Sequence, residues 1–402
     1  MSFLIALILI VLIQWFHLRL LRLELPERVF RWLPWILGVV HLPLILFALM
    51  RAIGIDGHGA LPLLRALARA GFYFQAFTAL HLIIAMLVEV AWQIFRRVTP
   101  VEKIPDTDTD ADQEVPVDPG RRAFLRTAAL ASTGAAAAFS VGGSRQAYGD
   151  PEITRRAFFF NDLPAGLDGL RIAQLSDLHA GPLVSPGTLR RWRELTERER
   201  PDLLLLTGDL VDSRPDELEP LLEAFQGFLP PLGRFAILGN HDYFDDPRPI
   251  WRDLELAGIR CLENASVLVH RNDATLALMG LQDPMARNGR FRRMIFGPGP
   301  RPDEAARNLP ADAFRICMNH RPSEWEQALA AGARLTLSGH THGGQINPIP
   351  GFSSARLIGP RTEGLYRDGD DVLYVSRGLG VVGLPIRIGA APEIVILTLK
   401  RG

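Results

Sequence analysis

Five short apolar runs in this chain end on the same kind of chemistry. After residues 170–175 come Ser176, Asp177, Leu178 and His179. After 202–206 come Gly208 and Asp209, with Asp212 behind them. The run 234–238 leads into Gly239, Asn240, His241 and Asp242; 314–318 into Asn319 and His320; 334–337 into Gly339, His340, Thr341 and His342. Apolar runs of this length, bounded by turn residues, read as buried strands. Layered α/β folds gather ligands outside the carboxyl ends of their strands. The sequence therefore calls for a fold in which five strand ends meet one cleft. Six histidines follow residue 152, and only His270 lies outside this set. It reads as an ordinary strand residue.

The stretches between the runs fit the same architecture. Residues 188–200, 217–228, 250–257 and 323–330 carry helical periodicity, the last with Ser323 and Glu326 placed for a capping box. Further strands are expected over 265–270, 276–280, 373–376 and 393–399. The whole of 153–400 reads as α/β, with sheet inside and helices outside.

The donor types narrow the chemistry. Imidazole, carboxylate and amide oxygen together suit a pair of borderline divalent cations, Mn, Fe or Zn. Two such cations close together need a bridging anion, which an aspartate supplies. Cys261 and Cys317 are the only cysteines; they read as buried strand residues and exclude a cysteine zinc finger. Lys+Arg and Asp+Glu both number 44, so the basic surplus of a nucleic-acid binder is missing. Nothing in the sequence points to a protein partner.

The strings D-L-H, G-D-L-V-D, G-N-H-D, a lone histidine and G-H-T-H occur in the order found in calcineurin-like metallophosphoesterases, and the segment 153–399 resembles that family. The fuller strings S-D-L-H-A-G, G-N-H-D-Y and G-H-T-H-G-G-Q are similar to its membrane-linked bacterial branch. That branch includes twin-arginine-exported phosphodiesterases and hydrolases of UDP-2,3-diacylglucosamine. The resemblance implies a metallophosphoesterase sandwich, central β-sheets flanked by helices. It implies a first metal on Asp177, His179 and His342, a second on Asn240, His320 and His340, and Asp209 bridging them. It also implies that His241 protonates the leaving oxygen or clamps the phosphate, with Asp242 orienting it. Asp212 stays open between a supporting role at the site and a helix N-cap.

The N-terminal region differs in character. Residues 2–18, 32–50 and 71–95 are nearly all apolar and close to the ~20 residues that cross a bilayer. An all-α transmembrane region over 1–98 is expected, with His41, His81 and Glu89 serving helix packing or the interface. An acidic linker over 99–120 follows. Arg121 and Arg122 then precede an Ala-, Gly- and Ser-rich run, so 121–148 resembles a twin-arginine export signal and a fourth span. The other reading is a basic helix start followed by an Ala-rich linker helix. Arginine distribution favours cytoplasmic first and third connections. With an export segment at 121–148, the catalytic region sits outside a bacterial cytoplasmic membrane. Between 287 and 301, five arginines flank apolar residues, suiting either anionic headgroups or a bland exposed insertion.

These features describe a membrane-anchored two-metal phosphoesterase. Its expected substrate is a phosphodiester or pyrophosphate, in a lipid or lipid precursor. Two rivals remain: a metal-dependent binding module without turnover, and a transporter regulated by the C-terminal region.

Overall fold

The computed structural model describes residues 119–287 and 295–402, with isolated positions between 31 and 94. The spans expected over 2–18, 32–50 and 71–95, most of the acidic linker, and residues 288–294 of the arginine-rich loop lie outside the described residues, apart from those isolated positions. Among the described residues no helix is long and apolar enough to cross a membrane. The all-helical membrane region therefore gains no support here, and neither does a further crossing over 121–148. That segment folds as helix α1 (Pro119–Tyr148). Its alanines, glycines and serines carry too little apolar surface for a bilayer core.

The chain divides into two compact units, Met1–Gly142 and Gly143–Gly402. In the first, His81 is buried and its Nε2 lies 3.1 Å from Thr133 Oγ1. The second begins within the last turns of α1 and holds every strand found among the described residues. In chain order it contains β1 (Glu152–Phe160), β2 (Arg171–Leu175), α2 (Pro186–Arg198), β3 (Leu203–Thr207), α3 (Glu219–Ala224), β4 (Arg234–Ile237) and α4 (Arg248–Leu256). Then follow β5 (Arg260–Cys261), β6 (Ala265–Arg271), β7 (Ala274–Gly280), α5 (Pro302–Ala305), β8 (Phe314–Met318), α6 (Trp325–Ala330), β9 (Leu335–Ser338), β10 (Gly364–Asp368), β11 (Asp371–Val375) and β12 (Glu393–Arg401). They build two six-stranded mixed sheets, ordered β1-β12-β2-β3-β4-β5 and β10-β11-β9-β8-β7-β6.

Side-chain alternation along the strands sorts the core into layers. Leu203 and Leu205 of β3 point between the sheets, where they share a cluster with Leu278, Ile316 and Leu335. Leu204 and Leu206 point the other way, onto Trp192, Leu221 and Leu254 of α2, α3 and α4. On the second sheet Met279 and Cys317 turn outward to Ala305 and Ala328 of α5 and α6. The result is helix, sheet, sheet, helix, as the α/β reading requires.

Local signals fix the helix ends. Ser185 caps α2 by accepting a hydrogen bond from the Thr188 amide at 3.1 Å, with Pro186 in the first turn. The capping box expected of Ser323 and Glu326 does not form. A 3-10 turn over Pro322–Glu324 precedes α6 without a side-chain cap. Glu326 instead pairs with Arg361 across the surface.

Two contacts tie this frame to the site. Gln174 Nε2 on β2 donates to Thr207 Oγ1 at 3.1 Å and to the Ser338 carbonyl at 2.9 Å, so a buried amide clips the two sheets together. The end of α1 seats against the segment Ile386 to Gly389. There the Arg387 amide donates to the Gly143 carbonyl at 2.9 Å and the Gly389 amide to Gln146 Oε1 at 3.1 Å. A β-carbon at Gly143 would meet Ile386 at 3.0 Å and Ile388 at 3.2 Å, which explains the glycine.

Candidate metal centre

Strands β2, β3 and β4 run parallel, as do β8 and β9, so their carboxyl ends open on one edge. The chain leaves these strands in strained turns. Asp177, His179, Asp209, His340 and His342 have φ of 52°, 45°, 52°, 71° and 52°. These are five of the ten non-glycine residues with positive φ among the described residues. Such backbone is costly without glycine and persists where the surroundings over-determine it, commonly at functional sites. Adjacent glycines supply the clearance. At Gly339 a β-carbon would run into Ser176 and Asp177, and at Gly208 it would meet His320 Nδ1 at 2.6 Å.

Two clusters hold the residues read as ligands, and a third grouping sets Asp212 and His241 beside His179. In the first, His179 Nε2 and His342 Nε2 face each other at 3.1 Å, and Asp177 Oδ1 lies 3.4 Å from His342 Nε2. The second joins Asp209, His320 and His340, with Asn240 Oδ1 3.2 Å from His320 Nε2. Asp209 stands between them. Its Oδ2 is 3.6 Å from His179 Nε2 and 3.3 Å from His320 Nε2, while Oδ1 accepts the His241 amide at 2.8 Å. All seven residues read from the sequence as ligands are thus brought together. His270 is elsewhere, exposed on β6 beside Thr275.

The donor set fits divalent cations. Imidazole nitrogens and carboxylate oxygens converge in a buried space with too few protons to satisfy one another. The ring of His320 donates from Nδ1 to the Thr207 carbonyl at 2.9 Å, which aims Nε2 at the centre. Burial pushes His179 and His340 down to about 3, and lowers His342 well below the usual imidazole range. It also pushes Asp177 up to about 6. Against the same burial, the charge and hydrogen bond of His320 hold Asp209 well below the carboxylate range, and Asp209 raises His320 to about 10. Three of the rings are neutral and open to a cation, while His320 keeps its proton against Asp209 until a metal displaces it.

His241 is half-buried, its ring 4.6 Å edge-on from that of His179. Its Nδ1 lies 2.6 Å from the Asp212 carbonyl oxygen, so Nδ1 donates and Nε2 is the exchangeable position. Here the structure departs from the expectation for Asp242. Its carboxylate accepts the amides of Leu210, Val211 and Gly239 at 2.8–3.0 Å and makes no hydrogen bond to His241. Burial and the Asp209 charge push it up to about 8. Asp242 braces the β3 and β4 turns; the Asp212 backbone orients His241. Asp212 is no N-cap either, since the 3-10 turn Pro215–Leu218 is capped from Arg214 with Glu217 returning to its amide.

Arg387 escaped the sequence reading. It is fully buried, and its Nη2 lies 3.1 Å from His342 Nδ1. Its one signal is a charge inside the apolar run V-V-G-L-P-I-R-I-G. Arg321 and Arg361 line a cavity of 280 Å³ that reaches His340, and Ile358 also lines a second cavity of 360 Å³ that reaches His342.

Fold and donor set together define a metal-binding α/β hydrolase of the metallophosphoesterase type. The sequence profile of the calcineurin-like phosphoesterases matches residues 170–344. An uncharacterized metallophosphoesterase of Aquifex aeolicus is 32% identical over 239 residues, covering 59% of this chain and 87% of its own. The metallophosphoesterase YkuE of Bacillus subtilis is 31% identical over 298 residues, covering 70% and 97%. The chain belongs to the calcineurin-like metallophosphoesterases, hydrolases that use divalent metals. A zebrafish transmembrane protein with a metallophosphoesterase domain is 35% identical over 246 residues, 60% of this chain; the match spans only 55% of that relative's length.

The depressed histidines fix a pH dependence. His179 and His340 fall from 6.5 in the unfolded chain to about 3 in the fold, so unfolding takes up protons between those values. Their contribution is unchanged above pH 6.5, and stability drops as pH falls through the window. Melting temperature of chelator-treated protein, measured from pH 7 to 4, should decline, and His340→Ala should flatten the decline.

Proposed function

We propose that this protein is a two-metal phosphoesterase that hydrolyses a phosphodiester or pyrophosphate bond in a lipid or lipid-linked substrate. The first metal lies with Asp177, His179 and His342, the second with Asn240, His320 and His340. The observation that carries the dinuclear reading is the position of Asp209, one oxygen of which lies within 3.6 Å of a histidine in each cluster. Bound there, a pair of Mn, Fe or Zn ions supplies Lewis acidity and an activated water. The chain's own groups do the rest. His241, steadied by the Asp212 carbonyl, holds a proton at Nε2 and delivers it to the leaving oxygen. Arg321 and Arg361, at the rim of the adjoining cavity, draw in the anionic ester.

The lipid component rests on the cleft's lip. Leu357 and Ile358 are 81% and 91% exposed, and Ile358 lines both cavities beside the ligand histidines. Large apolar side chains held in water at a binding site suit an apolar tail. A nucleotide-linked acyl sugar such as UDP-2,3-diacylglucosamine has both a pyrophosphate and such tails. The membrane component rests on the three apolar runs of the N-terminal sequence and on relatives described as transmembrane proteins. In this reading the chain is a multi-pass protein of a bacterial cytoplasmic membrane, with its site carried to the outer side by export of the twin-arginine-like segment 121–148 rather than by a fourth apolar span.

Hydrolysis of a generic aryl phosphodiester with added Mn²⁺ tests the chemistry. Chelator should abolish turnover, Asp209→Asn should remove at least ~100-fold of kcat/KM, and His241→Ala about 10²–10⁴-fold of kcat. Absence of turnover with every divalent metal would favour a binding module instead. The lip is tested by Leu357→Ser with Ile358→Ser. This variant should lose roughly 10–100-fold of kcat/KM on an acyl-chain phosphodiester while keeping the aryl activity; equal losses on both substrates would remove the lipid assignment. A reporter fused after Gly402 that works only in the cytoplasm would reverse the proposed topology.

A further inference from the structure

Five strand ends were expected at the cleft from the sequence, and the fold supplies a sixth. Strand β7 runs parallel to β8, so its carboxyl end opens on the same edge as the ligands. Just beyond it come Gln282 and Asp283. The Asp283 side chain is wholly buried and makes no hydrogen bond to a ligand residue. Its Oδ2 accepts Arg321 Nε at 2.8 Å, and its Oδ1 accepts Arg321 Nη2 at 3.2 Å and the Met285 amide at 2.7 Å. A carboxylate taken out of water is unfavourable unless it is paired in good geometry, and the Arg321 fork supplies that pairing.

The pair fixes Arg321 without exhausting it. Nε and Nη2 are engaged, whereas Nη1 has no hydrogen-bond partner among the described residues. Arg321 lines the 280 Å³ cavity beside His340. Arg361 lines it too, lying over the buried Trp325 ring at 4.9 Å and paired through Nη2 with the exposed Glu326. Planar guanidiniums held in place are receptors for phosphate oxygens. Of the seven ligand residues only His340 lines this cavity. A group lodged there therefore sits beside the reacting phosphorus, not at it. The volume falls below the ~300–1,000 Å³ of a pocket for a whole ligand, so it suits one substituent.

We propose that Asp283 is a positioning residue: it pins Arg321 so that, together with Arg361, Arg321 receives a second phosphate next to the one attacked. This rests on the phosphoesterase reading above and selects the pyrophosphate from its two substrate classes. Hydrolysis then adds one water across the P–O–P bridge. The attacked phosphorus gains the water oxygen, the bridging oxygen stays on the phosphate in the cavity, and each monoester product keeps one proton of the water. The other role open to the pair is to steady His320, which precedes Arg321 in the chain.

Diphenyl diphosphate and diphenyl phosphate carry the same ends and differ by one phosphoryl group. Full-length protein loaded with Mn²⁺ is given each, with products read by ³¹P nuclear magnetic resonance and bound metal counted in every variant. Wild type should show the lower KM on the diphosphate. Arg321→Gln should raise that KM by roughly 10–100-fold, the worth of a hydrogen bond to a charged group, and the KM for diphenyl phosphate far less. Asp283→Asn should move it the same way, by roughly 10-fold, and add nothing in the Arg321→Gln background. For the diphosphate, kcat and metal content should hold in both variants. A steadying role towards His320 would instead lower metal content and strike both substrates alike, and that result overturns the proposal. So does an equal KM on the two substrates in wild type. Arg361→Gln should also raise KM preferentially on the diphosphate, and this surface variant decides if those at Asp283 and Arg321 do not fold. Turnover of both esters with equal losses leaves the phosphoesterase reading standing; no turnover of either with any divalent metal removes both.

Discussion

Everything in this molecule depends on forcing like groups together at the edge of two sheets. Facing histidine nitrogens 3.1 Å apart, and buried carboxylates of which Asp209 raises Asp177, leave unfavourable contacts, and five of the residues that carry them adopt left-handed backbone. No side chain in the cluster relieves this arrangement alone. It survives because the strands behind it are anchored in a core that admits no shift. The Gln174 amide locks the sheets at the site end, and glycines at 208 and 339 let neighbouring turns approach within contact distance. A cation pair would convert the repulsion into coordination, so the fold stores the conditions for binding in its backbone.

The site was far more legible than the frame around it. Strand β8 matches the reading of residues 314–318 residue for residue, and all seven ligand candidates converge. Buried strands announce themselves because both faces must be apolar. The strands that escaped notice, β1, β5 and β10, all lie at sheet edges. There one flank is in water, and β1 tolerates Arg155 and Arg156 in mid-strand. The helix read over 217–228 shortens to α3 because its first turn tightens into 3-10 form and Phe225 closes it. Pattern reading senses periodicity, whereas edge position and turn type are decided by neighbours distant in sequence.

The roles of support residues were the least legible. Asp242 follows His241 directly, which suggested a partnership, yet its carboxylate turns to three backbone amides of adjoining loops. The group that steadies His241 is a main-chain carbonyl, at Asp212, which no residue identity reveals. The same holds for Thr207 behind His320. Arg387 lies 45 positions from the ring it touches, with nothing but its charge in an apolar stretch to mark it. Ligand identities are written in side chains, while the partners that aim them are mostly written in backbone.

The seat of α1 on the Arg387 segment carries a practical meaning for anyone dissecting the chain. The Gly143 carbonyl holds the Arg387 amide, and the Arg387 side chain in turn holds His342. Composition alone invites a scissor cut just ahead of β1, since that is where soluble character begins. Such a fragment would keep all seven ligand residues and still lose the splint behind one of them. The last helical turn before the strands is masonry of the catalytic module, and a faithful excision must start upstream of Gly143.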